Sequence, residues 1–238
     1  MDEVDAASGY RERPSRFDGA VLWTRTVDGP DRGLPVLPDG CMDLIWMDGR
    51  LVVAGPDTRA QHPPAANGAR YVGVRFFPGT APALLGVPAD ELRNQRVDLA
   101  QLWSSSVVRR LVEQLEDAVD RTAALDEVVA WRAAEAEPAD PLLRRVVVAL
   151  DHGWSVASIA DAAGVGERTL HRRCSAAFGY GPKTLARVLR LQRALAAARG
   201  GLSLAETAAL AGFADQPHLS REVRALTGMP LGELLAGA

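Results

Sequence analysis

One stretch of this chain occurs twice, and that repeat limits the possible folds more than any other feature. Residues 155–179, SVASIADAAGVGERTLHRRCSAAFG, align with residues 203–228, SLAETAALAGFADQPHLSREVRALTG. Ser155, Ala160, Ala163 and Gly164 lie 48 positions before Ser203, Ala208, Ala211 and Gly212. Past the turn the offset is 49, so Leu170, Arg172 and Gly179 answer to Leu219, Arg221 and Gly228. Two copies make an internal repeat, too few for a solenoid.

Each copy has the signals of two short helices joined by a tight turn. Ser203 with Glu206 three residues on is a capping box, Gly212 is a stop, and Asp215 can cap the next helix. In the second helix of each copy an apolar stripe recurs at helical spacing: Leu219, Val223 and Leu226 in one, Leu170, Cys174 and Ala177 in the other. At 100° per residue the opposite faces centre on Pro217, Arg221 and Arg224, and on Arg168, Arg172 and Ser175. Gln216, His218, Thr169 and His171 lie at the start or the edge of those faces. Guanidinium can read guanine bidentately or clamp phosphate, so both outer faces suit DNA, with a solvated charge as the plain alternative. Gln216 and His218 can reach base edges from a helix start or serve the cap. Between the copies, residues 182–200 read as one long helix from Pro182 to the Gly200 stop, a spacer that would hold two reading helices a fixed distance apart.

Charge divides the chain in the same place. The net charge is -3, yet residues 1–140 hold 15 Lys plus Arg against 23 Asp plus Glu, and residues 141–238 hold 12 against 7. A basic segment behind an acidic one suits a protein that meets nucleic acid with one end. Residues 1–19 are expected to be a flexible arm, and residues 20–135 a β-rich sensor or dimerisation domain ending in helices. Residues 136–141 read as a linker, since EAEPADP brings two prolines to the point where the charge changes sign. Residues 142–238 form the double helix-turn-helix. Strand-like runs occupy residues 21–27, 41–47, 51–55 and 71–77, with Asp48 and Gly49 set for a hairpin turn. Val107, Leu111, Leu115 and Val119 mark an amphipathic helix. The fold class is α+β.

Asp43, Trp46, Tyr71 and Arg75 are the candidate ligand-binding residues of the first domain, against the plainer reading of an ordinary barrel with a salt bridge. The four histidines, His62, His152, His171 and His218, have no paired metal-ligand spacing, and no phosphate loop or nucleophile elbow is present. Neither a metal, a cofactor nor catalysis is therefore expected. Cys41 and Cys174 sit far apart in apolar contexts and read as reduced thiols. The start of the chain lacks a signal-like apolar run and no stretch reaches membrane-span length, so a cytoplasmic protein is expected.

The C-terminal part resembles the paired helix-turn-helix domain of the AraC/XylS transcription regulators. The resemblance rests on Leu170, His171 and Arg172, on Arg190, Leu191 and Ala194, and on Gly212, Phe213, Asp215 and Gln216 followed by Arg221 and Gly228, in that order. Cys174, Leu219 and Val223 stand where that family usually has Phe, and Pro217 where it has a small polar residue. The N-terminal part, in its LPDGCMDLI, VAGP and GVRFFPG segments, resembles the degenerate cupin-like sensor domains found ahead of such readers. The resemblance implies a bacterial regulator that binds promoter or operator DNA in the nucleoid, under a small-molecule effector. A homodimer through residues 107–119 and contact with RNA polymerase are further expectations. Two alternatives stand beside this: a ligand-independent dimeric regulator, and a metal-dependent cupin-type enzyme fused to a DNA-binding domain.

Overall fold

The structure is a computed structural model and describes the backbone of residues 4–5 and all of residues 9–27, 35–62 and 67–236. The N-terminal half is built on one antiparallel sheet of strands β1 (Val4–Asp5), β2 (Tyr10–Pro14), β3 (Ala20–Thr26), β4 (Met42–Met47), β5 (Arg50–Ala54), β6 (Arg70–Phe76) and β7 (Arg96–Asp98). Their order across the sheet is β1-β2-β3-β6-β4-β5-β7. Asp48 and Gly49 both take positive φ, 48° and 70°, and turn β4 into β5 as a hairpin in the register Met47↔Arg50. That is the turn in which two consecutive left-handed residues match the twist of the flanking strands.

Alternation along the strands gives the sheet two unlike faces. Leu22, Met42, Leu44, Leu51, Val53, Val72, Val74 and Phe76 make the apolar one. Helices α1 (Ala81–Leu85), α2 (Ser105–Asp117) and α3 (Arg121–Glu135) close over it, adding Leu84, Leu85, Val108, Leu115, Leu125 and Val129 to the same core. The inward side of α2 is therefore occupied within its own domain. Val119 lies beyond the helix and is fully exposed, so the expected four-residue stripe stops at Leu115.

One expectation is corrected. Residues 10–14 are not a flexible arm but the strand β2, paired along its length with β3 from Tyr10↔Arg25 to Pro14↔Val21. Its sequence, YRERP, has no apolar alternation, because what holds it is backbone pairing and charge rather than a hydrophobic face. Residues 1–3 and 6–8 lie outside the described part.

The C-terminal half is all helical: α4 (Pro141–Asp151), α5 (Val156–Ala162), α6 (Glu167–Phe178), α7 (Pro182–Arg199), α8 (Leu204–Ala211), α9 (Gln216–Thr227) and α10 (Leu231–Ala236). It has two separate cores. Leu142, Val146, Leu150, Ile159, Leu170, Cys174 and Phe178 fill the first, and Ala208, Ala211, Phe213, Leu219, Val223 and Leu226 the second. α7 belongs to both, giving Leu185 and Val188 to the first core and Leu191, Ala194 and Leu195 to the second. No described helix is long and apolar enough to cross a membrane.

Candidate nucleic-acid interface and the buried polar cluster

The caps of both helix-turn-helix units form as their sequences dictate. Ser155 Oγ accepts the backbone N–H of Ser158 at 3.0 Å and starts α5. Ser203 and Glu206 make both bonds of the capping box at the head of α8, and Gly212 ends that helix in the left-handed conformation. Asp215 then caps α9, its Oδ1 accepting the N–H of His218 at 2.6 Å. With Leu170 and Cys174 of α6, and Leu219 and Val223 of α9, fully buried, the opposite sides of those helices are forced outward.

Arg168 and Arg172 of α6 and Arg221 and Arg224 of α9 are all exposed. Among the described residues none of their guanidinium groups has a salt-bridge or hydrogen-bond partner. The neighbouring arginines are engaged: Arg173 pairs with Asp140 at 3.5 Å, and Arg187 with Glu222 at 2.8 Å. Within α6 and α9, burial and pairing thus separate two pairs of arginines with no partner among the described residues, one pair per unit, from the engaged Arg173. Gln216 is exposed in the first turn of α9, and Thr169 is half-buried. His218 stands edge-on to Phe213 with 5.4 Å between ring centres, and its Nδ1 lies 3.3 Å from the N–H of Ala214. It is engaged with the helix start. His171 is exposed, but its ring rests on the backbone at Gly181, where a side chain would collide with it.

On the polar face of the sheet, register brings Asp43 opposite Arg75. Arg75 is the hub of four acidic and aromatic neighbours. Its Nε lies 3.5 Å from Asp43 Oδ1 and 3.5 Å from Asp39 Oδ2, its Nη1 3.3 Å from Glu12 Oε1, and its guanidinium 6.0 Å from the centre of the Tyr10 ring. Trp23 donates its Nε1–H to Asp43 at 2.7 Å and stacks on Tyr10, whose hydroxyl donates to Glu12. Trp23 fits because Gly73 faces it across the strand pair; any Cβ there would enter the indole. A second pair, Arg96 with Asp57 at 2.6 Å, lies beyond.

Of the four candidate ligand-binding residues, Asp43 and Arg75 meet. Trp46 does not: three positions after Asp43, it projects to the opposite, apolar face, under the Arg121 guanidinium at 4.7 Å. Tyr71 shares the face of Arg75 but lies four residues away, about 13 Å along β6. Glu12, Tyr10, Trp23 and Asp39 complete the cluster. They come from three other segments, and only strand register could have pointed to them.

Burial pushes the Asp43 carboxyl up to about 6, although the Arg75 charge pulls the other way. Its pKa is thus higher folded than unfolded, so this group adds stability as the pH falls from about 6 towards about 4, the unfolded value. Comparing urea unfolding of the protein with that of Asp43→Asn is expected to show the difference between them changing across that window; a difference flat in pH would contradict it.

The cluster extends to the seam between the two halves. Tyr180, two residues past the end of α6, is only 3% exposed, and its hydroxyl has no hydrogen-bond partner among the described residues. Burial pushes that phenol up, and the charges of Asp39, Cys41 and Asp57 push it further. Among the described residues three hydrogen bonds cross the seam. Arg93 Nη1 donates to Gly179 O at the end of α6 (3.2 Å), Gln192 Nε2 on α7 donates to Pro38 O (2.6 Å), and Ala60 N–H donates to Leu226 O in the last turn of α9 (2.9 Å). Gly179 has φ +79°, and a side chain on it would strike Pro56.

Residues 159–237 match a family described as a helix-turn-helix domain, and residues 20–98 a domain of unknown function, DUF6597. Among curated proteins none matches. The 1.65 Å structure of ToxT from Vibrio cholerae is similar over 92% of this chain and 99% of its own, at 10% identity and a TM-score of 0.51. A probable AraC family transcriptional regulator from Rhodopseudomonas palustris is similar over 41% of this chain and 96% of its own (22% identity, TM-score 0.36). The C-terminal domain of AraT, a response regulator from Geobacillus stearothermophilus, is similar over 42% and 87% (18% identity, TM-score 0.39). The two capped units and the family match agree: the C-terminal part of this chain is a helix-turn-helix domain, set behind a β-rich N-terminal domain.

Proposed function

We propose that the protein is a sequence-specific transcription regulator that reads DNA with α6 and α9 together, and whose β-rich domain senses a small molecule or partner and adjusts that reading. The observation that carries the first part is the matched pair of free arginines on each reading helix, Arg168 with Arg172 and Arg221 with Arg224. Unpaired guanidinium groups on exposed helix faces keep their full charge for phosphate and both prongs for guanine. Gln216 assists at the start of α9, while His218, Thr169 and His171 shape the surface beside the arginines.

The second part is supported by the seam. Hydrogen bonds from the β-rich domain reach the C-terminal ends of both reading helices and the helix between them. A ligand that shifts the sheet or its loops therefore acts on both units at once. The Asp43–Arg75 cluster, running through Asp39 to Tyr180, is the proposed place where an effector would be felt.

Fluorescence anisotropy with DNA from upstream of the protein's own gene tests the reading. Specific binding above that to random DNA at moderate salt is expected; equal binding to both would rule it out. Arg221→Ala should weaken specific binding by about 1–3 kcal/mol if the residue reads a base, and weaken all sequences alike if it holds phosphate.

A further inference from the structure

Two reading units on one helix do not by themselves fix how far apart on DNA their targets must lie. α7 has 18 residues and so spans about 27 Å, which sets the separation of the two cores. Rotation of one unit about the axis of α7 is a different matter. Leu191, Ala194 and Leu195 of α7 share the second core with Ala208 and Ala211 of α8, small side chains that interlock weakly. Groups off the axis have to resist the roll.

Three arginines at successive three-residue steps on α7 do so. Arg187 makes a two-pronged bond to Glu222 of α9, at 2.8 and 3.4 Å. Arg190 lies over the Phe213 ring at 5.0 Å and donates to Gly212 O at 3.4 Å. Both tie α7 to the second unit alone. Arg193 differs, because its guanidinium is shared between the units: Nη1 donates to Asp151 Oδ1, on the last residue of α4, at 3.1 Å, and Nη2 to Ala211 O, on the last residue of α8, at 3.2 Å. The Ala211 carbonyl is one of the orphan acceptors at a helix C-terminus, where a cation is favoured. The guanidinium plane is rigid, so its two prongs hold α4 and α8 at one distance and one angle.

We propose that Arg193 is a positioning residue that sets the spacing, in base pairs, between the two DNA boxes the protein accepts. The proposal rests on the reading that α6 and α9 engage DNA together. Inserting one base pair moves a box by about 3.4 Å and turns it by about 34° around the duplex, so a unit locked in roll tolerates little change and a freed one tolerates more.

The test is selection of binding sites from a randomised duplex pool by the full chain, Arg193→Ala, Arg193→Lys and Asp151→Ala, with thermal melting of each. The unaltered protein should return two boxes at one spacing and lose about tenfold in affinity when one base pair is inserted or removed. Arg193→Ala should return the same boxes over a range of spacings, losing about threefold or less for the same insertion. Arg193→Lys should behave like the alanine variant, since a single ammonium cannot reproduce the fork. Asp151→Ala keeps the Arg193 bond to α8 and cuts only the link to the first unit, so it carries the test if Arg193→Ala does not fold. Well-folded Arg193→Ala or Asp151→Ala with unchanged spacing preference overturns the proposal and leaves the DNA reading intact. An unaltered protein that selects no boxes overturns both.

Discussion

Replacing Phe178 by alanine is expected to destabilise the protein by about 3–5 kcal/mol, the cost of losing a large buried ring whose surroundings cannot close over the space it leaves. The ring is 1% exposed at the end of α6, inside the core that also holds Leu170, Cys174 and Tyr180. Its outer edge meets the other half of the molecule at Gly79, where even a Cβ would come within 2.8 Å of it. The cavity left by truncation would thus open at the seam, where neither the helices nor the sheet can collapse into it without breaking the seam hydrogen bonds. Urea unfolding checks the cost, with Phe178→Leu as a milder companion that refills most of the volume. A loss below about 1 kcal/mol for the alanine variant would mean that the ring is not packed as described.

The second large effect is expected at Arg75. Removing one partner from a desolvated charge cluster is costly because the opposite charges stay behind, by about 3–5 kcal/mol for a buried pair. Arg75→Ala would leave Glu12, Asp39 and Asp43 facing one another across the sheet without a cation, with Asp43 still bonded to Trp23. With the lowering effect of Arg75 gone, burial would drive the Asp43 carboxyl higher than its present value of about 6. The variant should accordingly recover part of its stability as the pH falls from about 8 to about 5.5, because protonation removes the repulsion. Urea unfolding at those two pH values is the measurement, and an equal deficit at both would show that the carboxylates do not share the cation. Arg75→Lys should restore only part of the loss, since one ammonium cannot serve Glu12 on one side and Asp39 and Asp43 on the other.

These two residues show how far local pattern reaches. Phe178 ends a periodic apolar stripe, so its burial follows from helical spacing alone. Its contact with Gly79 does not, because it joins segments about a hundred residues apart in the chain. Arg75 and Asp43 stand out on separate strand-like runs, and antiparallel register makes them meet. Trp46 is close to Asp43 in sequence, yet the alternation of strand side chains carries it to the other face. The strand at residues 10–14 is hidden for a related reason. Its pairing is a backbone property, and a charged strand shows no apolar periodicity.

The sequence by itself determined the repeat, its caps, the stripes that bury Leu170 and Leu219, and hence the outward direction of Arg168, Arg172, Arg221 and Arg224. All of these are local: a helix of known period places its residues within a turn or two of one another, and a cap needs only three residues. Tertiary structure alone decided which arginines stayed free and which became struts, since Arg187 and Arg193 look no different in sequence from Arg221. A guanidinium acts as a strut when a carboxylate or a helix-end carbonyl from another part of the chain arrives within about 3 Å of it, and that is settled by packing. The same holds at the seam, where Tyr180, Pro38 and Leu226 are brought to the boundary between the two halves by contacts that no local pattern encodes.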